Sequence, residues 1–203
     1  MPPEREAKER LQRSAPPPPD NPTLPEFNYF TPSALQGVVK ASDEVCDCCG
    51  RRRGFVYTGP FYHPSQRPGP GICPHCIKDG SAASKYEGSY NDIRVAFDGQ
   101  VIDAEAAKAP ESVIDELLHR TPGYESWQGN RWAFHCGDGG IFQGDATDEA
   151  IANASEEAKA HFDLINSSPT FDRLFGGDTR RRPSTYHFKC RQCAMDLFLW
   201  DMD

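Results

Sequence analysis

Two cysteine pairs constrain the fold of this chain more than any other feature of its sequence. Cys46-Asp-Cys-Cys49-Gly50 and Cys73-Pro-His-Cys76 are separated by 23 residues. Pairs at this spacing are typical of a structural four-thiolate zinc site, because each tight turn points both of its sulfurs the same way. Gly50 suits the positive φ on which such a turn often ends. The sequence therefore predicts a zinc ion on Cys46, Cys49, Cys73 and Cys76. Cys48 is then surplus, and a pairing of Cys46 with Cys48 stays open.

A third pair, Cys190-Arg-Gln-Cys193, needs two more ligands to hold a metal. Apart from Cys48, only Cys136 remains, and it would be the third ligand. The nearest candidates for the fourth ligand are His135, His187 and Asp138. Neighbouring residues of a regular strand point to opposite faces, so His135 and Cys136 can both bind only if the chain turns there. We predict a possible second zinc site on Cys136, Cys190, Cys193 and His135. The alternative is a redox-sensitive pair of cysteines.

Charge and hydropathy exclude several classes of protein. The formal net charge is −8 and the isoelectric point near 5.2, whereas a chain-wide nucleic-acid surface needs a positive field. Nucleic acid is thus a possible but not a favoured partner, through Arg51–Arg53 or Arg180–Arg182. Arg51–Arg53, together with Lys78, are expected to offset the negative charge of the thiolates.

No apolar stretch approaches the ~20 residues of a membrane span. The charged N-terminus lacks an apolar secretory signal, so we expect a cytoplasmic protein whose thiols stay reduced.

Enzymatic motifs are few. Cys73-Pro-His-Cys76 matches strongly oxidising thiol–disulfide exchange proteins, so an oxidoreductase stays an alternative. That chemistry needs a βαβ context, and the preceding residues 67–72 form a proline- and glycine-rich loop instead. No His is followed by x-Glu, as a zinc deaminase requires. Cys136 can be interpreted as a nucleophile, but no base for it can be named. We expect no enzymatic activity.

The chain divides into a proline-rich start and one domain. Residues 1–25 hold eight of the eighteen prolines and are predicted to be disordered, because they cannot bury enough apolar surface. Residues 26–203 are predicted to form a single domain. Within it, residues 37–95 carry the first zinc module, and residues 124–203 carry Cys136 with the last cysteine pair.

The predicted elements are segregated rather than alternating, which indicates the α+β class with short antiparallel strands and two or three helices. Strands are predicted at 37–41, 54–58, 131–136 and 141–142, and two more flank the last cysteine pair. Helices are predicted at 111–120 and at about 148–164. Trp127 and Trp132 are both expected in the core.

Together these motifs resemble the CbrC-like family of bacterial proteins over residues 27–203. The resemblance rests on five segments: 42–50, Tyr57-Thr-Gly-Pro60, Ile72-Cys-Pro-His-Cys-Ile-Lys-Asp-Gly-Ser-Ala-Ala83, His135-Cys-Gly-Asp138 and Phe188-Lys-Cys-x-x-Cys193. It implies site cysteines at 46, 49, 73, 76, 136, 190 and 193, no assigned catalytic activity, and an association with bacteriocin tolerance. Where a further cysteine could follow Asp138, this chain has Gly139 and Gly140.

The hypothesis from the sequence is therefore a non-enzymatic zinc-binding protein that acts through a protein partner. A role in stress or in tolerance to a bacteriocin is implied by the resemblance. The thiol oxidoreductase and the zinc-ribbon nucleic-acid binder remain as alternatives.

Overall fold

The computed structural model describes residues 22–64, 71–93, 96–97, 100–101, 103–166, 169–177 and 183–201, together with Pro16 and Pro19. Most of the proline-rich segment predicted to be disordered, and the basic run Arg180–Arg182, lie outside the described residues. The α+β class is confirmed, because the sheets are antiparallel and the helices lie between pairs of strands rather than connecting parallel ones.

The described residues form seven α-helices, most of them a single turn or little more. They are α1 (Pro32–Leu35), α2 (Pro74–Lys78), α3 (Ser81–Tyr86), α4 (Glu111–His119), α5 (Asp148–Ala152), α6 (Glu156–Asn166) and α7 (Phe171–Phe175). A 3₁₀ turn covers Ala106–Lys108. Helix α4 coincides with the helix predicted at 111–120, and α6 covers the second half of the one predicted at about 148–164. The additional helices are short turns that hydropathy periodicity does not detect.

Eight strands among the described residues make three antiparallel sheets. The strands are β1 (Val39–Ala41), β2 (Phe55–Tyr57), β3 (Ala96–Phe97), β4 (Gln100–Val101), β5 (Phe134–His135), β6 (Asp138–Asp145), β7 (Ser184–Cys190) and β8 (Asp196–Asp201). β1 pairs with β2 and β3 with β4, while β5, β6, β7 and β8 form a meander in that order. The meander brings residues near 135 and 190 to the same end of one sheet.

Strand β8 shows how the four-stranded sheet is buried on both faces. Leu197 and Leu199 point into the main core, and Phe198 between them packs into a second cluster. This is the alternation that a pleated strand imposes. The second cluster is formed by α5, α6 and α7, where Phe162 and Phe171 stack edge to face at 5.4 Å. The sheet therefore lies between an apolar core and a layer of helices.

The opposite face of the sheet is covered by the chain's beginning and by α4. Phe30 forms a parallel bridge with Phe142 of β6, and Leu117 of α4 is fully buried. A Cβ on Gly139 would lie 2.8 Å from a Leu117 methyl, so α4 packs closely against β6 at this glycine.

The two tryptophans that were predicted in the core lie in different environments. Trp132 is buried, with 3% of its surface exposed, but Trp127 is 77% exposed, so its predicted place in the core is wrong.

The helix predicted at 148–164 is interrupted between α5 and α6. There the Ser155 hydroxyl accepts a hydrogen bond from the Ala158 N–H and starts a new helix. No helix among the described residues is long and apolar enough to cross a membrane.

Candidate metal centres

Cys46, Cys49, Cys73 and Cys76 come together as predicted. Their four sulfurs lie within 4.8 Å of one another, with separations of 3.9 Å for Cys46–Cys76, 4.0 Å for Cys49–Cys73 and 3.6 Å for Cys73–Cys76. None of them forms a disulfide. A tetrahedron of thiolates around a metal at ~2.3 Å has sulfurs about 3.8 Å apart. The cluster therefore has the dimensions of a four-thiolate metal site.

The first pair is presented by a tight turn that begins at Cys46. The Gly50 N–H donates to the Cys46 carbonyl at 2.8 Å, and the Cys46 N–H donates to the Arg51 carbonyl at 2.9 Å. Gly50 has φ +68°, the left-handed conformation predicted for it. This hydrogen-bonded loop is a zinc-knuckle-like turn, and we call it the first knuckle (residues 46–51).

The second pair lies at the start of a helix. Cys73 is the residue before α2, Pro74 occupies its first position, and Cys76 follows one turn later. The Cys73 N–H donates to the Cys46 sulfur at 3.2 Å, and this bond joins the two pairs directly. Asp47 strengthens the junction, because its N–H donates to the Gly71 carbonyl and its carboxylate accepts from the Gly71 N–H. Backbone hydrogen bonds at both cysteine pairs therefore fix the positions of the four sulfurs.

The thiols of this cluster influence one another's pKa through their hydrogen bonds. Hydrogen bonds with Cys73 and Cys76 lower the pKa of Cys46, while the bond with Cys46 raises the pKa of Cys73 to about 12 and also raises that of Cys76. A thiol that keeps its proton must release it when a metal ion binds.

Cys48 does not join the cluster. Its sulfur lies 3.5 Å from the Ser81 hydroxyl, outside the group of four. Lys85 is a cation beside Cys48 that the sequence analysis did not identify. It donates to the Asp47 and Cys48 carbonyls at 2.7 and 3.1 Å. Lys78, expected to offset thiolate charge, instead lies 3.9 Å from Glu116.

His135, Cys136, Cys190 and Cys193 form a second cluster of the same size. Their donor atoms also lie within 4.8 Å of one another. The His135 Nδ1 atom is 3.2 Å from the Cys136 sulfur and 3.5 Å from the Cys193 sulfur. Three cysteines and one histidine are an accepted ligand set for a tetrahedral metal ion.

The chain turns at Cys136, which was the condition for both neighbours to face one site. His135 pairs with Asp138 across a two-residue hairpin, and its central residues Cys136 and Gly137 have φ +54° and +71°. Positive φ at both positions is the mark of a type I′ turn. The turn redirects Cys136 toward His135 rather than to the opposite face.

The last cysteine pair repeats the turn of the first. The Ala194 N–H donates to the Cys190 carbonyl at 3.0 Å, and the Cys190 N–H donates to the Met195 carbonyl at 2.9 Å. Ala194 has φ +61°, at the position equivalent to Gly50. The Gln192 N–H lies 3.4 Å from the Cys190 sulfur. We call residues 190–195 the second knuckle.

Asp138, a candidate ligand from the sequence, supports this cluster without belonging to it. Its buried carboxylate accepts from the Gln192 amide at 3.0 Å, from Arg191 at 3.2 Å and from the Tyr29 hydroxyl at 2.9 Å. Burial and the bond to Asp138 raise the pKa of Tyr29 to about 12. Arg191 also lies over the Tyr29 ring, 4.7 Å from its centroid. The carboxylate thereby ties both residues between Cys190 and Cys193 to the β5–β6 hairpin.

The other candidate for the fourth ligand, His187, is engaged elsewhere. Its Nε2 atom is 2.7 Å from an oxygen of Asp196. His135 is oriented instead by His161 of α6, whose ring meets it edge to face at 5.2 Å. His161 is buried, and its Nε2 atom lies 3.1 Å from the Phe134 carbonyl.

The two clusters differ in exposure. In the first cluster three cysteines are buried and Cys49 is exposed, whereas in the second only Cys190 is buried. Cys136 and Cys193 are both exposed to solvent. The donor atoms of both clusters fit a metal ion, but solvent reaches the second more easily.

Comparison with known proteins finds relatives over most of the chain. The profile of an uncharacterised protein family, UPF0167, matches residues 24–202. A UPF0167 protein of Pseudomonas aeruginosa is 39% identical over 177 residues, which are 86% of this chain and 94% of the relative. UPF0167 proteins of Mycobacterium bovis and Mycobacterium tuberculosis are each 31% identical over 182 residues, 86% of this chain and 91% of each relative. No solved structure matches.

Proposed function

The chain belongs to the UPF0167 family, and we propose that it is a non-enzymatic protein that binds two zinc ions and acts through a protein partner. The observation that carries the proposal is the repeated knuckle: the same hydrogen-bonded turn presents Cys46 with Cys49 and Cys190 with Cys193. Two unrelated stretches of chain adopt one geometry whose common feature is a pair of convergent sulfurs. Zinc is the metal that this ligand set and tetrahedral spacing favour.

The zinc ions in this proposal are structural. The first cluster joins the β1–β2 hairpin to α2, and the second joins the β5–β6 hairpin to the β7–β8 turn, so each ion closes a contact between distant segments. Short elements of this kind bury little apolar surface of their own, and metal binding then contributes directly to folding free energy. Both sites have a complete set of four protein ligands, as structural rather than catalytic zinc sites do.

A single domain at 26–203 is part of the proposal. The main core contains residues from Phe27 to Leu199, which supports one folding unit rather than two. A cytoplasmic location suits eight free cysteines, because thiols stay reduced there. The resemblance to CbrC-like proteins adds a role in bacteriocin tolerance.

Native mass spectrometry of the full chain, purified without added zinc, tests the metal. We expect two zinc ions per chain. Cys73→Ser should lose one ion and Cys193→Ser the other, while the matched control Cys48→Ser should keep both, because Cys48 lies outside the clusters. A metal-free protein whose mass is lower by two protons for each cysteine pair would overturn the proposal and favour the oxidoreductase.

Tolerance is tested separately in a bacteriocin-sensitive bacterium that expresses the chain. Survival should rise with the wild type and with Cys48→Ser, and should fall to the level of an empty vector with Cys73→Ser. Equal survival of all strains would exclude the role in tolerance without affecting the metal sites.

A further inference from the structure

A groove whose lining includes none of the cluster ligands runs beside the loop at residues 124–130. Its volume is about 980 Å³. Tyr62, Tyr124, Trp127 and Tyr186 contribute aromatic side chains to its lining. Tyr124 and Tyr186 are buried beneath it, whereas Tyr62 and Trp127 are exposed at its edge. An open groove with so many aromatic groups is suited to an extended peptide.

Trp127 is held in this exposed position by a buried carboxylate. One oxygen of Asp201 accepts from the Trp127 N–H at 2.9 Å, the Ser126 hydroxyl at 2.7 Å and the Tyr186 hydroxyl at 2.9 Å. Asp201 is only 4% exposed. A buried charge is unfavourable unless it is fully hydrogen-bonded, and here its bonds fix the loop that presents the tryptophan. The loop is therefore preorganised, which lowers the entropy lost when a partner covers Trp127.

The charge of the groove selects the kind of partner. Glu125 and Asp145 are exposed at its rim, and the described residues that line it include no Lys, Arg or His. Phosphate groups of a nucleic acid or an anionic membrane would be repelled there. An occupant with positive side chains is favoured, because opposite charges across an interface steer association.

We propose that this groove binds residues 10–19 of a second copy of this chain. That segment, Arg10-Leu-Gln-Arg-Ser-Ala-Pro-Pro-Pro-Pro19, has two arginines and no acidic residue. Four consecutive prolines favour the polyproline II conformation, which docks into aromatic-lined grooves at a low entropic cost. Pro16 and Pro19 are exposed, so their own domain does not cover them.

The assignment extends the proposed function by naming one interaction surface, and it does not depend on the zinc ions. The segment lies outside the residues that match the family, whereas the groove lies within them. Self-association through this contact is then a property that the proline-rich segment adds to the family domain.

Sedimentation velocity of the full chain over a concentration series measures the association. The wild type should sediment faster as its concentration rises. Trp127→Ala should weaken association by about tenfold or more, because tryptophans are among the residues that contribute most to binding at interfaces. The double variant Arg10→Ser/Arg13→Ser should weaken it as well, and added salt should weaken the wild-type association. Leu164→Ala is the matched control, since Leu164 is a large exposed apolar residue that does not line the groove.

A mixture of the two weakened proteins gives the decisive result. Trp127→Ala keeps an intact segment, and Arg10→Ser/Arg13→Ser keeps an intact groove, so the mixture should associate more strongly than either protein alone. A wild type that stays monomeric at every concentration would overturn the proposal. So would a mixture no stronger than its components, or equal effects of Trp127→Ala and Leu164→Ala. Zinc stoichiometry should be the same in all these variants, which separates this test from that of the metal sites.

Discussion

The carboxylate of Asp138 accepts a hydrogen bond at 3.0 Å from Gln192, a residue that lies between two cysteines of the second cluster. Asp138 also follows the Cys136–Gly137 turn directly, so one side chain connects the two halves of the site. Because Asp138 is buried and charged, its four acceptor bonds are worth more than ordinary surface contacts. The two halves of the second cluster are thus connected by a residue that is not one of its four candidate ligands.

Asp138→Asn tests this role. The asparagine amide has no charge to pair with Arg191. Its NH2 group would also face N–H and O–H groups that now donate to the carboxylate, so the second knuckle should loosen. We expect a loss of about 2 kcal/mol in unfolding free energy, measured in urea, and weaker zinc retention at the second cluster only.

Glu149→Gln is the control for Asp138→Asn, because it removes one negative charge from an exposed position of α5. It should change the unfolding free energy by less than about 0.5 kcal/mol. Equal effects of the two substitutions would contradict the role of Asp138.

The equivalent positions Gly50 and Ala194 make a second prediction. Both are in the left-handed region, but only Gly50 reaches it without steric cost. Gly50→Ala should therefore destabilise the folded protein by about 1 kcal/mol in urea unfolding. Ala194→Gly should change stability by less than about 0.5 kcal/mol, because relief of strain offsets the greater freedom of the unfolded chain. A larger loss for Ala194→Gly than for Gly50→Ala would show that the knuckles are not equivalent.

The first cluster was predictable from the sequence because its ligands come as two local pairs. Within Cys46–Cys49 and Cys73–Cys76 the turn sets the direction of both sulfurs, so spacing alone indicates the site. The second cluster contains only one such pair. His135 was predicted only on the condition that the chain turns there. The φ values of Cys136 and Gly137 that meet this condition depend on the pairing of β5 with β6.

Errors elsewhere have equally specific causes. The sequence analysis predicts Trp127 in the core, but its loop is fixed by Asp201, 74 residues further along the chain. Such a long-range bond leaves no local pattern. The break between α5 and α6 does have one: Ser155 followed by two glutamates is a helix start, and the apolar periodicity that continues through it concealed the signal.

Buried tyrosines predict a loss of stability at alkaline pH. Burial raises the pKa of Tyr57 above its ordinary value of 10.0, so the folded state keeps the proton that the unfolded state releases above pH 10. Stability from this group is fully present below pH 10 and decreases as the pH rises beyond it. Tyr57→Phe should be less stable at neutral pH, by about 1–2 kcal/mol, because the hydroxyl's bonds with Pro60 and Gly123 are lost. Its stability should decrease less between pH 10 and 11 than that of the wild type, measured by urea unfolding. Parallel pH profiles for the two proteins would contradict this cause.

The difference in exposure between the clusters predicts the order in which the proposed zinc ions leave. Cys136 and Cys193 are open to solvent, whereas Cys73 and Cys76 are buried. A chelator should therefore produce first a protein with one zinc ion and later a metal-free, less stable protein. Iodoacetamide added during chelation should label Cys136 and Cys193 before Cys73 and Cys76, as read from the masses of the digested peptides. Native mass spectrometry of the same samples counts the remaining zinc. Simultaneous loss of both ions, or earlier labelling of Cys73 and Cys76, would show that burial does not protect the first cluster.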